Sequence, residues 1–287
     1  DLTDMLRMNY KETIDFLLSA LPMFQRIGAA AYKSDLDNIL AFDEYLDHPH
    51  THFKSIHVAG TNGKGSVCHI LAAILQECGY KTGLYTSPHL KDFRERIRIN
   101  GKCITRGDVT KFVQNHKPFI EKLKPSFFEM TVAMAFEYFR KEKVDIAVIE
   151  TGLGGRLDST NIIEPVVSVI TNIGMDHINF LGNSLKKIAG EKAGIIKYQV
   201  PVIIGETQEI FPVFMKKANE MEAPLYIADQ WYRIPLVLPI ALPYHNGINT
   251  LSMKVAPRAV WSKTPWSVAA CISGTKPPPA QVTINDS

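Results

Sequence analysis

His57-Val-Ala-Gly60-Thr-Asn-Gly63-Lys64-Gly65-Ser66 is the stretch that decides the fold. Before it, Phe53–Val58 reads as a strand. After it, Val67, Ile70, Leu71, Ile74, Leu75 and Cys78 recur at helical spacing and stop at Gly79, a good C-cap. A glycine-rich loop between a strand and a helix is what a phosphate cradle requires. Backbone N–H groups and the helix N-terminus face an anion, and a lysine reaches the outer phosphates. Gly60, Gly63 and Gly65 let the backbone approach closely, and the Ser66 hydroxyl can serve a Mg²⁺ ion. The spacing departs from G-x-x-x-x-G-K-[ST]: Val58 stands at the first glycine position and Gly65 intervenes before Ser66.

Outward from this loop, strand and helix patterns alternate from about residue 9 to 227. Thr13–Leu21 and Leu36–Leu46 read as helices, Thr82–Thr86 as a strand, and Ile97–Ile104 as a hairpin turning at Asn100-Gly101. Ser126-Phe-Phe-Glu129 is a capping box opening a helix to about Arg140. Val144–Glu150 and Val166–Thr171 are apolar, β-branched runs of the kind buried in parallel sheets. Pro201–Ile204, a helix over 207–221 and Leu225–Ile227 continue the series. Such alternation predicts an α/β sheet wound in βαβ units.

The length of 287 residues suits one large domain or two modest ones, and 46% hydrophobic residues are enough for a real core. The apolar runs are too short to span a bilayer, and Asp1-Leu-Thr-Asp4 does not open a secretory signal. Cys68, Cys78, Cys103 and Cys271 lack CxxC spacing, which argues against a zinc site or a disulfide scaffold and for a reducing cytoplasm. The formal charge of +3 belongs to the end of the chain. Residues 1–232 hold 27 basic against 28 acidic groups, which gives no reason to expect a nucleic-acid partner. Residues 233–287 carry eight of the 17 prolines, no glutamate and no sustained periodicity, so they read as a Pro-rich tail separate from a domain over 1–232.

Several side chains carry both a chemical and a bland reading. Glu150 ends a buried-looking strand, where a carboxylate needs a metal or cation partner. His177 alone reads as a loop histidine, Lys192 as a solvated helix lysine, and Asp158 as the cap of the following turn. Phe127 and Phe128 suit a core, and the capping box accounts for Glu129. His48, His50 and His52 alternate before a strand, but a solvated connection is the expectation, because no acid or cysteine completes a ligand set.

Gly60-Thr-Asn-Gly-Lys-Gly-Ser66 resembles the ATP-binding loop of the folylpolyglutamate synthase/dihydrofolate synthase family within the Mur ligase superfamily. Tyr85-Thr-Ser-Pro-His-Leu90 with Arg94-Glu-Arg-Ile97 is similar to that family's mobile substrate loop. Glu150-Thr-Gly-Leu-Gly-Gly-Arg-Leu-Asp-Ser-Thr-Asn161 resembles its central signature. Thr171-Asn-Ile-Gly-Met-Asp-His177 and Gly190-Glu-Lys-Ala-Gly-Ile195 complete the order. The resemblance covers roughly residues 9–232. The Leu-Gly-Gly-Arg-Leu-Asp segment and the Ser-Pro-His loop favour folate over the substrate of a cell-wall Mur ligase.

What the resemblance implies is a P-loop-type, mostly parallel sheet flanked by helices, and an ATP-dependent ligase. Such an enzyme joins L-glutamate to dihydropteroate and/or folylpolyglutamate through an acyl phosphate. Gly60, Thr61, Asn62, Gly63, Lys64, Gly65 and Ser66 would hold ATP, with Lys64 on the β- and γ-phosphates. Ser66 and Glu150 would ligate one Mg²⁺ and His177 a second. Lys192 would be carbamylated. Ser87, Pro88 and His89 would meet the substrate, and Ser126, Phe128 and Asp158 the pterin. Relatives suggest a monomer, and the charge balance and short apolar runs give no reason to expect a nucleic-acid or membrane partner. Relatives also place a second, Rossmann-like domain after the ATPase domain. No motif of it is recognised here, so a truncated nucleotide-binding fragment without complete activity is the alternative expectation.

Overall fold

In the computed structural model, residues 8–21, 35–175 and 183–231 are described; His177 and the tail over 233–287 fall outside them. In chain order the elements are α1 (Tyr10–Ala20), α2 (Asp37–Tyr45), β1 (Lys54–Ala59), α3 (Lys64–Glu77), β2 (Thr82–Tyr85), β3 (Ile97–Ile99) and β4 (Lys102–Cys103). They continue with α4 (Arg106–Leu123), α5 (Phe127–Lys141), β5 (Ile146–Glu150), β6 (Val167–Ile170), α6 (Leu185–Ala193), β7 (Val202–Ile204), α7 (Phe211–Glu220) and β8 (Leu225–Ile227). Two units divide the chain, Asp1–Asp229 and Gln230–Ser287, and every element named here belongs to the first.

The strands form one mixed sheet in the order β4-β3-β2-β5-β1-β6-β7-β8. From β2 to β8 all neighbours are parallel, while β3 pairs antiparallel with both β2 and β4. All residues of β5 and β6 are buried, which is why Val144–Glu150 and Val166–Thr171 read as apolar runs rather than alternating ones. The hairpin turns at Asn100 and Gly101, both with positive φ, as the Asn-Gly pair dictates. Two apolar clusters hold the layers. One joins α1, α2, α4 and α5 to β2 and β5 through residues such as Phe42, Phe112, Phe136 and Ile149. The other joins α6 and α7 to β6 and β7 through Ile170, Ile188, Ile204 and Phe214.

Sequence reading anticipated the sheet and most helices. It left α4 unassigned, because the stretch is polar and holds Pro118. Its buried residues, Val109, Phe112, Val113 and Ile120, still recur at helical spacing, and the Thr105 hydroxyl caps it by accepting from the Asp108 N–H at 3.0 Å. The helix expected over 207–221 begins later, with Pro212 in its first turn. Among the described residues, no helix is long and apolar enough to cross a membrane.

Candidate functional site

β1 ends at Ala59 and the chain enters the loop 60–66 at the C-terminal edge of the parallel sheet, where open α/β sheets bind ligands. Gly60 has φ +149, and a Cβ there would stand 1.8 Å from the Thr171 hydroxyl oxygen. Only glycine fits, so the loop crosses tightly over the end of β6. Gly63, at φ +79, turns the chain left-handed immediately before α3. The loop is stapled to the segment after β6. Thr171 Oγ1 donates to the Asn62 carbonyl at 2.7 Å, the Asn62 N–H donates to Asn172 Oδ1 at 2.9 Å, and the Gly174 N–H donates to Thr61 Oγ1 at 2.9 Å.

Lys64 opens α3, and its Nζ donates to the carbonyls of Gly60 at 3.0 Å and Thr61 at 3.3 Å. The first N–H groups of a helix have no carbonyl partner within it, so those of Lys64, Gly65 and Ser66 suit an anion. Ser66 is exposed in this first turn. Lys192, near the end of α6, is 3% exposed, and its Nζ reaches the same Gly60 carbonyl at 2.9 Å. The solvated reading of Lys192 is thereby overturned, since it enters the loop's underside rather than water.

Glu150, last residue of β5, is 4% exposed. Its carboxylate oxygens lie 3.8 and 3.9 Å from where a Cβ on Gly65 would stand, which puts them against the first turn of α3. Oε2 accepts from the Ser87 N–H at 3.1 Å. Burial pushes the Glu150 pKa up, opposed by that N–H and by the charge of Lys64. A buried anion in that condition, against the helix turn that carries exposed Ser66, suits a hard divalent cation.

Ser87 lies in the loop after β2, in which Pro88 is exposed and His89 half-buried. Buried Arg96 donates from Nε to His89 Nδ1 at 2.7 Å and lies 5.2 Å over the Phe127 ring. Burial and the Arg96 charge lower the His89 pKa, so the ring is neutral with its proton on Nε2. Glu95 ties the loop down by accepting from the N–H groups of Leu90 and Asp92 at 2.8 and 2.9 Å.

Phe128, Gly152 and Asp158 are contiguous. A Cβ on Gly152 would stand 2.4 Å from Phe128 Cζ, so the ring lies on the glycine backbone. Asp158 Oδ2 accepts from the N–H groups of Gly152 and Leu153, both at 2.8 Å. Its Oδ1 accepts from the Thr160 N–H at 3.0 Å and from the Thr160 hydroxyl, capping a short 3₁₀ turn over Ser159–Ile162. Burial raises the Asp158 pKa and these bonds lower it. Ser126 caps α5 together with Glu129, in the expected capping box. Phe127 is core, whereas Phe128 is only partly buried beside it.

The fold therefore gathers two groups of the residues singled out in the sequence. The first is the loop 60–66 with Lys192, Glu150 and Ser87. The second is Phe128 with Asp158 around Gly152. His89 is linked to Arg96, and Ser126 serves the capping box; His177 lies outside the described residues. Sequence reasoning missed Arg96, Asn172 and His57 as individuals. His57 Nε2 lies 2.9 Å from Thr160 Oγ1; because that hydroxyl donates to Asp158, the histidine must be the donor. Only the coincidence of a polar residue with a buried strand position could have marked it.

The expectation for the histidines before β1 needs correction. An acid does complete the set: Asp43 on α2 is 4% exposed and meets Nδ1 of His48 and of His50, each at 2.7 Å. The acid was invisible because it sits on a helix face five and seven positions upstream.

Residues 58–228 match the Mur ligase middle domain. A dihydrofolate synthase/folylpolyglutamate synthase of Bacillus subtilis is 47% identical over 187 residues, which are 62% of this chain and 44% of that protein. A folylpolyglutamate synthase from Thermotoga maritima superposes with a TM-score of 0.68 at 39% identity, over 76% of this chain and 49% of that one. E. coli FolC in complex with DHPP and ADP superposes with a TM-score of 0.70 at 31% identity, over 77% of this chain and 51% of that one. The chain thus spans about half the length of the proteins it resembles. Since the match to the Mur ligase middle domain takes in more than half of the residues, and the fold superposes on those solved structures, the chain belongs to that family.

Proposed function

We propose that this chain carries the ATP-binding and acid-binding part of an ATP-dependent ligase that joins L-glutamate to dihydropteroate and/or folylpolyglutamate. The observation that carries the reading is the convergence of Lys64, Lys192 and Glu150 on one glycine loop at the sheet edge. The B. subtilis relative bears the name of that activity, and the E. coli neighbour is in complex with ADP. In this reading residues 1–232 form the working unit, with 233–287 outside it. The site is a monomeric, cytoplasmic one for small molecules, without nucleic-acid or membrane partners.

Thr61, Asn62 and Gly63 wrap the phosphates, and the N–H groups of Lys64, Gly65 and Ser66 receive their charge. Lys64 leaves its loop carbonyls for the β- and γ-phosphates. Ser66 and Glu150 are the ligands offered to Mg²⁺, with His177 as the donor for a second ion. Bound there, Mg²⁺ supplies charge neutralisation to the transferring phosphoryl group. Carbamylation of Lys192 would remove a buried ammonium charge and still leave an N–H for the Gly60 carbonyl. Phe128 stacks on the pterin, and Asp158, whose two oxygens are taken by Gly152, Leu153 and Thr160, holds the backbone on which that ring lies. Ser87, Pro88 and the Nε2–H of His89 position the substrate on the other side.

The substrate carboxylate oxygen attacks the γ-phosphorus and the bond to the β,γ-bridging oxygen breaks, so ADP leaves and an acyl phosphate forms. The α-amine of glutamate then attacks the acyl carbon. Phosphate departs, and the amine gives up a proton to solvent. The test is ADP release by the purified chain with ATP and Mg²⁺, adding dihydropteroate or tetrahydrofolate, with and without glutamate. Turnover that needs both acceptor and glutamate supports the complete ligase reading. ATP binding without such turnover restricts the chain to the nucleotide-binding part, and no ATP binding overturns the proposal.

A further inference from the structure

At the end of β1 remote from the glycine loop lies a second group of polar side chains. Strand β1 is six residues long, so about 20 Å separates its two ends. There Asp43, from the last turn of α2, sits beneath two imidazoles. His48 Nδ1 is 2.7 Å from Oδ2 and His50 Nδ1 is 2.7 Å from Oδ1, and the three candidate donor atoms all lie within 4.8 Å of one another. Asp43 is buried, His50 is 17% exposed and His48 is 56% exposed, so the group is open to solvent on the His48 side.

The backbone around these side chains is fixed. The His48 N–H donates to the Asp43 carbonyl at 2.8 Å, and His48 itself is left-handed at φ 49°. Pro49 is buried at the start of a 3₁₀ turn over Pro49–His52, and the Thr51 hydroxyl donates to the His48 carbonyl at 2.8 Å. Arg140 of α5 donates to the Leu46 carbonyl at 2.7 Å, which fastens the same connection from outside. Side chains held this way lose little further freedom when a ligand binds, and Glu44 and Asp47 add negative charge close to His48.

We propose that Asp43, His48 and His50 form a binding site for a divalent transition metal of the zinc type, with its remaining coordination open to water. Two imidazoles and one carboxylate are donors that favour such ions over Mg²⁺ or Ca²⁺, which prefer all-oxygen sets. On binding, each ring proton at Nδ1 moves to Nε2. The N–O gaps then widen from hydrogen-bond length to the roughly 3.3 Å that two ligands about 2.0–2.1 Å from a tetrahedral ion require. The ion would tie the end of α2 to the entry of β1 and leave the phosphate loop untouched.

The test is calorimetric titration of the intact, metal-stripped chain with Zn²⁺, in wild type and in His48→Gly, where glycine keeps the left-handed backbone. The expected result is one equivalent bound per chain with micromolar or tighter affinity, weakened at least tenfold by the substitution and unchanged by excess Mg²⁺. A second readout uses the wild type alone: the ring resonances of His48 and His50 should shift on adding Zn²⁺, while those of His57 do not. No stoichiometric binding, equal binding by His48→Gly, or ring shifts elsewhere than at His48 and His50 would overturn the proposal.

Discussion

Lys64 and Lys192 donate to one carbonyl oxygen, that of Gly60, at 3.0 and 2.9 Å. Two ammonium groups on one acceptor repel each other, so the arrangement favours any change that removes or diverts one charge. Carbamylation of Lys192 is one such change. Binding of ATP and Mg²⁺ by the wild type should tighten with bicarbonate, and binding by Lys192→Met should be weaker and ignore bicarbonate. A carbamate carbon signal after labelling with ¹³C-bicarbonate, absent from Lys192→Met, checks the assignment directly.

Glu150 behaves oppositely to a surface carboxylate. Burial raises its folded-state pKa above the ordinary 4.5, so the ionised form opposes folding. That cost is absent below the unfolded value and complete above the folded one. Glu150→Gln should therefore raise the Tm of the ligand-free chain at pH 8, and the gain should shrink as the pH is lowered towards 4.5. The same substitution should weaken Mg²⁺-dependent nucleotide binding at least tenfold. A lower Tm at pH 8 would contradict this account.

His57 gives the chain an acid-side weakness. Burial, with the Lys197 charge behind it, lowers its folded-state pKa to about 3 from an ordinary 6.5. The unfolded chain takes up the proton first as the pH falls. Stability is thus full above pH 6.5 and is lost progressively between 6.5 and about 3, by about 2 kcal/mol at pH 5. Urea unfolding at pH 7.5 and 5.0 should show that extra loss in wild type but not in His57→Gln.

Gly60 admits no side chain. An alanine Cβ would stand 1.8 Å from Thr171 Oγ1 on a backbone at φ +149. Gly60→Ala should cost about 2–4 kcal/mol. Adding Thr171→Ala should recover part of this and not all, because the backbone strain remains after the clash is gone. Denaturation of the two single variants and the double variant measures the coupling.

The sheet was legible because its strands are short apolar runs set between helical periods, as in Val67–Cys78 following Phe53–Val58. Helix α4 was not, since its four buried residues are diluted among polar ones. Within the site, the glycine loop could be read directly, because Gly60 meets a need for close approach and Gly63 one for positive φ. The rest of the site was readable only in outline. Nothing local says that Lys192 turns inward to Gly60, or that Arg96 sets the tautomer of His89, because both depend on elements brought together by the fold. Asp43 beneath His48 and His50 was missed for the same reason.

The most direct measurement is a calorimetric titration of the chain with ATP and Mg²⁺, in wild type and Lys64→Ala. One site of micromolar affinity, weakened at least a hundredfold by the substitution, is the result expected if the loop 60–66 holds the triphosphate. No binding by wild type, or equal binding by Lys64→Ala with its Tm unchanged, would contradict it.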